Sequence, residues 1–119
     1  MIYQQHFNKV WDYFITKENP KSYDSTTGYC LYRGPNGTRC AIGILIPDKL
    51  YNPGMEKSSI DSVLTNFPKL ADYLESKSME DRVFMYKLQS CHDDPITKES
   101  MKQKLVELAS EYNLQITSV

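Results

Sequence analysis

The sequence predicts an α+β fold, a mostly helical single domain over residues 1–119 in which one β-hairpin, at about residues 29–45, packs on four or five helices. Apolar residues recur at helical spacing in several separate stretches. Between the first of these and the rest, two short β-prone runs, "YCLYR" and "TRCAIGILI", flank the turn-forming "GPNG". No repeat, heptad run or linker divides the chain, and 119 residues suffice to bury about two-thirds of the unfolded surface around one core.

Phe7, Val10, Trp11 and Phe14 predict an amphipathic helix from about residue 3 to 16, with an aromatic inner face. The following "KENPKSYDSTTG" is polar, aperiodic and punctuated by Pro20 and Gly28, so it reads as a loop. After the hairpin, "LIPD" leads into a short turn of helix at Lys49 to Tyr51, and "NPGMEKSS" is a second loop. Ser58 or Ser59 caps a helix that buries Ile60, Val63, Leu64 and Phe67. Pro68, favoured in a first helical turn, opens the next helix, whose apolar face is Leu70, Tyr73 and Leu74. Ser78 with Asp81 forms a capping box for a helix that buries Phe84, Leu88 and Cys91 and stops at "DDP". Thr97 caps the last helix, with Met101, Leu105, Leu108 and Tyr112 inward and Asn113 as terminator.

Two registers compete for the hairpin. A two-residue Asn36-Gly37 turn sets Cys30 and Cys40 on opposite sides of the ribbon. Pro35 and Asn36 at the centre of a type I turn, with Gly37 left-handed, better suit proline's fixed φ and glycine's freedom. That register sets Gly34 opposite Thr38, Tyr32 opposite Cys40 and Cys30 opposite Ile42, with the thiols towards the core and Arg33 facing Arg39 on the outer side. Cys30 and Cys40 are then diagonal neighbours, too far apart for a disulfide. A zinc knuckle is also disfavoured, because nine residues separate the thiols and the remaining candidates, Cys91 and His92, project about 100° apart on a helix. Buried, reduced thiols are the expectation, and an odd count of three cysteines agrees with it.

Charge excludes further classes. Fourteen basic side chains balance fifteen acidic ones for a net charge of −1, so nucleic-acid binding is not indicated. No apolar stretch approaches the roughly 20 residues of a membrane span and no signal peptide opens the chain; a soluble, cytoplasmic protein with no membrane contact is expected. The glycines of a nucleophile elbow and the lysine and helix of a phosphate-binding loop are missing.

What remains is material for recognition. Arg33 and Arg39 in register repel one another unless an anion such as Asp48, Glu56 or a ligand phosphate joins them. Tyr32 and Tyr51 lie close by for stacking, and nine tyrosines occur in all. The cluster "SCHDDP" adds His92 and Asp93, which read either as the rim and terminator of a helix or as ligands of a divalent metal. The candidate ligand-binding set is therefore Tyr32, Arg33, Arg39, Tyr51, Glu56, His92 and Asp93, with no catalytic residue and no cofactor. Three functions fit this inventory: a non-catalytic binding protein, a metal-dependent phosphoester hydrolase using His92 and Asp93, and a structural or virion-associated component. The expected partner is a protein or an anionic small molecule such as a nucleotide, with a homo-oligomer also compatible.

The segment "CLYRGPNGTRCAIGILIPDKLYNPGME", with "LQSCHDDPIT" as a weaker echo, resembles a family of short, uncharacterised proteins from bacteriophages and bacteria. The shared order is "YRG…G…CAIG…LIPD…Y…E", and the two segments cover about a third of the chain. The resemblance implies that the hairpin and the "HDD" turn belong to one design, and it supplies no catalytic residue. A phage origin within that family, taken as context, favours a host-directed protein acting in the host cytoplasm against a host or defence protein or a signalling molecule.

Overall fold

The computed structural model describes residues 2–23, 31–94 and 97–116. Five α-helices form the frame: α1 (Tyr3–Trp11), α2 (Ile60–Asn66), α3 (Pro68–Tyr73), α4 (Met79–Asp93) and α5 (Lys98–Glu111). No β-strand occurs among the described residues, so the fold is helical and the α+β expectation is corrected. No helix among them is long and apolar enough to cross a membrane.

The helices follow their sequence signals. Phe7, Val10, Trp11 and Phe14 are all buried, and α1 continues through a wide π turn at Asp12–Thr16. Tyr3 joins this face by stacking on Phe84 of α4, with ring centroids 4.2 Å apart. Ser59 accepts the Ser62 N–H at the start of α2, and Thr97 accepts that of Ser100 at the start of α5. Ser78 and Asp81 make the reciprocal capping box that begins α4. Asn113, at φ 55°, turns the chain left-handed after α5. Tyr73 departs from expectation: it is 48% exposed, while Leu70, Ala71 and Leu74 carry the inner face of α3. α4 packs on both α2 and α5, and α1 packs on the segment around Gly43–Leu45.

That segment is where the hairpin was expected. Only the tip of the expected register forms among the described residues: Gly34 N–H donates to the Thr38 carbonyl at 2.9 Å, and Arg33 and Arg39 make one antiparallel bridge. The turn is not type I, since Asn36 (φ 58°) is left-handed as well as Gly37 (φ 74°). Pairing stops after that bridge. Beyond Cys40 the chain coils, with Ile44 N bonded to the Cys40 carbonyl and Leu45 N to that of Ile42. Expectations that involve Tyr29 and Cys30 lie outside the described residues.

The physical reason is that the backbone donors find other partners. Tyr32 and Arg33 give both their N–H groups to the Glu56 carboxylate, at 2.9 and 3.1 Å. Ile42 N–H goes to Gln89 Oε1 at 2.9 Å, and Gly43 N–H to Cys40 Sγ at 3.3 Å. Cys40, Ala41, Ile42 and Gly43 are all buried, so this run is enclosed by helices instead of forming one face of a ribbon. Gly43 permits the approach: a Cβ there would lie 2.0 Å from the Tyr32 carbonyl oxygen.

Candidate functional site

Glu56 follows a tight turn, Pro53–Met55, whose Asn52 side chain accepts the Gly54 N–H at 2.7 Å and whose Met55 is fully buried. Anchored so, its carboxylate reaches three donors. Oε1 takes the Tyr32 N–H, while Oε2 takes the Arg33 N–H and the Tyr51 hydroxyl, the latter at 2.6 Å. Tyr32 is buried, and its hydroxyl donates to the Ser58 carbonyl at 2.8 Å. Burial pushes the Tyr51 phenol up to about 12, with the Glu56 bond adding to the shift and the charges of Arg33 and Arg39 opposing it.

The two arginines have different surroundings. Arg33 donates to the Ile46 carbonyl at 3.2 Å, pairs with Asp48 at 2.7 Å, and lies over the Tyr51 ring at 4.3 Å. Its charge is balanced by the exposed Asp48, and its Nε is buried with no partner among the described residues. Arg39 donates to the carbonyl of its neighbour Thr38, at 2.9 Å, and among the described residues its side chain has no other hydrogen bond and no carboxylate partner. Asp48, not Glu56, is thus the anion that relieves the arginine pair, and Glu56 holds backbone instead.

His92, 1% exposed in the last full turn of α4, has both ring nitrogens engaged. Nε2 accepts the Ser22 N–H at 3.1 Å, because a backbone N–H can only donate. Nδ1 therefore carries the proton and donates to Asp93 Oδ1 at 2.8 Å. The same Asp93 oxygen accepts from Gln89 Nε2 at 2.8 Å, and Gln89 Oε1 holds Ile42 N–H. A continuous polar chain therefore runs from Ser22 through His92, Asp93 and Gln89 to Ile42. It ties α4 to the loop before the turn and to the apolar run after it. Asp93 and Glu56 both bear on Tyr32, whose phenol is pushed up by burial first and then by these negative neighbours and Cys40.

This arrangement has chemical consequences. The one lone pair of the His92 ring is occupied, so the ring offers no ligand to a metal in this geometry. Among the described residues no group of three or more His, Cys, Asp or Glu side chains is placed to hold a metal ion. Cys40 and Cys91 are buried free thiols, each pushed by burial up to about 12 and so held protonated.

The seven residues singled out from the sequence fall into two groups. Tyr32, Arg33, Tyr51 and Glu56 form one bonded cluster, with Arg39 bridged to Arg33 through the backbone. His92 and Asp93 form the second, joined to the first segment through Gln89 and Ile42. Gln89 and Ser22 were missed. A glutamine one position after Leu88 on the buried stripe was the available signal for the former, whereas a serine in a polar loop carries none. Compared with known proteins, the chain matches no family model, no curated protein and no solved structure, so any function rests on its own geometry.

Proposed function

We propose that this protein is a small non-catalytic binding protein that recognises an anionic partner through the face bearing Arg39 and Tyr51. The observation that carries this is the inequality of the two arginines. Arg33 is paired with Asp48 and stacked on the Tyr51 ring, whereas Arg39, whose charge also acts on the Tyr51 phenol, has no carboxylate partner among the described residues. A guanidinium presents a planar fork of donors suited to phosphate or carboxylate. Glu56 makes the surface rigid in advance, since it holds Tyr51 and the backbone of Tyr32 and Arg33 together. Preorganisation of this kind lowers the ordering cost of binding.

The partner class is an anionic small molecule such as a nucleotide. Titration calorimetry of the intact chain against inorganic tripolyphosphate, nucleoside phosphates and dinucleotides tests the reading. At least one anion is expected to bind, with Arg39→Ala weakening it about tenfold or more, the value of one charge-assisted contact. Binding that is unchanged by Arg39→Ala, or no binding of any of these anions, would sink the proposal.

A further inference from the structure

Tyr51 also lines a second feature of the molecule. A cavity of about 360 Å³ lies between the Lys49–Asn52 loop and the junction of α2 with α3, lined in part by Lys49, Tyr51, Asn66, Phe67 and Lys69. Its volume is at the low end of the ~300–1,000 Å³ typical of small-molecule sites. Lys49 and Lys69 are exposed at it and pair with no carboxylate among the described residues, and no acidic side chain lines it. Asp48, the nearest carboxylate in sequence, is engaged by Arg33. The remaining wall is mostly apolar, contributed by Leu50, Phe67 and Tyr51. Apolar walls with unpaired ammonium groups select for a ligand that is planar and apolar at one end and anionic at the other.

We infer that this cavity is the base-binding subsite of a nucleotide site, with the aromatic base against Phe67 and Tyr51 and the phosphates towards Lys49, Lys69 and Arg39. The inference rests on the anion-binding reading above and extends it, because Tyr51, which lines the cavity, is also the phenol that feels the charge of Arg39. The phenol is fixed at its hydroxyl by Glu56 and on its ring by the Arg33 guanidinium, so it meets an incoming base without rearranging. Stacking of this kind tolerates any base, since each has a π-face.

The experiment compares the four ribonucleoside triphosphates with inorganic tripolyphosphate, which has the charge but no base, by calorimetry on the intact chain. Three proteins are used: wild type, Arg39→Ala, and Asn66→Trp. Asn66 is exposed and makes no side-chain bond among the described residues, so a tryptophan there fills the cavity without removing a contact. The expected result is that triphosphates bind at least about tenfold tighter than tripolyphosphate, the value of one stacked base. Asn66→Trp should abolish that preference and leave tripolyphosphate binding as it was. Equal binding of both, weakened by Arg39→Ala, would overturn the cavity proposal and leave the Arg39 reading standing. A triphosphate preference lost in Asn66→Trp but indifferent to Arg39→Ala would keep the cavity and overturn the Arg39 reading. If neither compound binds, both fall.

Discussion

Replacing Glu56 by Gln is the sharpest test of why this segment coils instead of pairing. The carboxylate receives the Tyr32 and Arg33 N–H groups on different oxygens, with the Tyr51 hydroxyl on the second. A glutamine has one acceptor oxygen and one NH2 group, so in either orientation its NH2 confronts a backbone N–H. One donor is left unpaired, which costs about 1–3 kcal/mol where it is shielded from water. Glu56→Ala removes all three acceptor contacts. Charge-assisted bonds contribute about 1.5–3 kcal/mol each, but the carboxylate is half-buried and water replaces part of the loss, so about 2–4 kcal/mol is expected. At roughly 4 °C per kcal/mol for a chain of this size, the Gln variant should melt about 4–12 °C lower. Urea unfolding supplies the free energy, and amide spectra should show Tyr32 or Arg33 N–H displaced. Asp48→Asn is the control, because Asp48 is 92% exposed and its pair with Arg33 is expected to contribute under about 1 kcal/mol. If Glu56→Gln lies within about 0.5 kcal/mol of wild type, the carboxylate does not organise the segment, and the coil must be held by the Gln89 bond and apolar packing alone.

Gly43→Ala should cost at least about 3 kcal/mol or prevent folding, because its Cβ would meet backbone at 2.0 Å, and such overpacking has no flexible neighbour to absorb it. Gly34→Ala meets the Ser22 and Thr38 hydroxyls at 2.3 and 2.5 Å, side-chain ends that can rotate, so urea titration should rank it well below Gly43→Ala. Buried His6 donates Nε2–H to the Leu74 carbonyl at 2.9 Å, and burial, opposed by that bond, holds its pKa below the usual 6.5. The unfolded chain then binds the proton more readily, so this contribution is full above about pH 6.5 and falls as pH drops towards the lowered folded value. Melting temperatures between pH 7.5 and 5 should decline accordingly, and His6→Gln, which keeps a donor without titrating, should flatten that part of the slope. Cys40 and Cys91, with thiols at about 12, should resist iodoacetamide at pH 8 in the native protein and react in urea, as read by peptide mass spectrometry; ready native labelling would refute their burial.

The helices were legible because their signals are local. Ser78 with Asp81, Thr97 before α5, Asn113 after it, and the 3.6-residue recurrence of Phe7, Val10, Trp11 and Phe14 each act within one or two turns of chain. The place of the "GPNG" turn and the Arg33–Arg39 pair were legible for the same reason, whereas the turn type was not, since Asn36 is left-handed as well as Gly37. The sheet was misread because β-branched and aromatic residues indicate only a segment that packs well when buried. Whether such a run pairs or coils depends on where its backbone donors go, and here they go to Glu56 and Gln89, 23 to 47 residues away. Tertiary placement likewise separated the two arginines, which are equivalent in sequence, by giving Asp48 and the Tyr51 ring to Arg33 alone. It also turned His92 from a candidate ligand into a donor–acceptor link, through a backbone N–H 70 residues distant that no spacing rule anticipates. By itself, then, the sequence determined the helices, their caps and the balanced charge, all of which depend on near neighbours or on composition. Only the tertiary structure decided the coiled segment, the arginine left without a carboxylate among the described residues and the cavity beside Tyr51, because each depends on which distant groups a buried donor or charge meets.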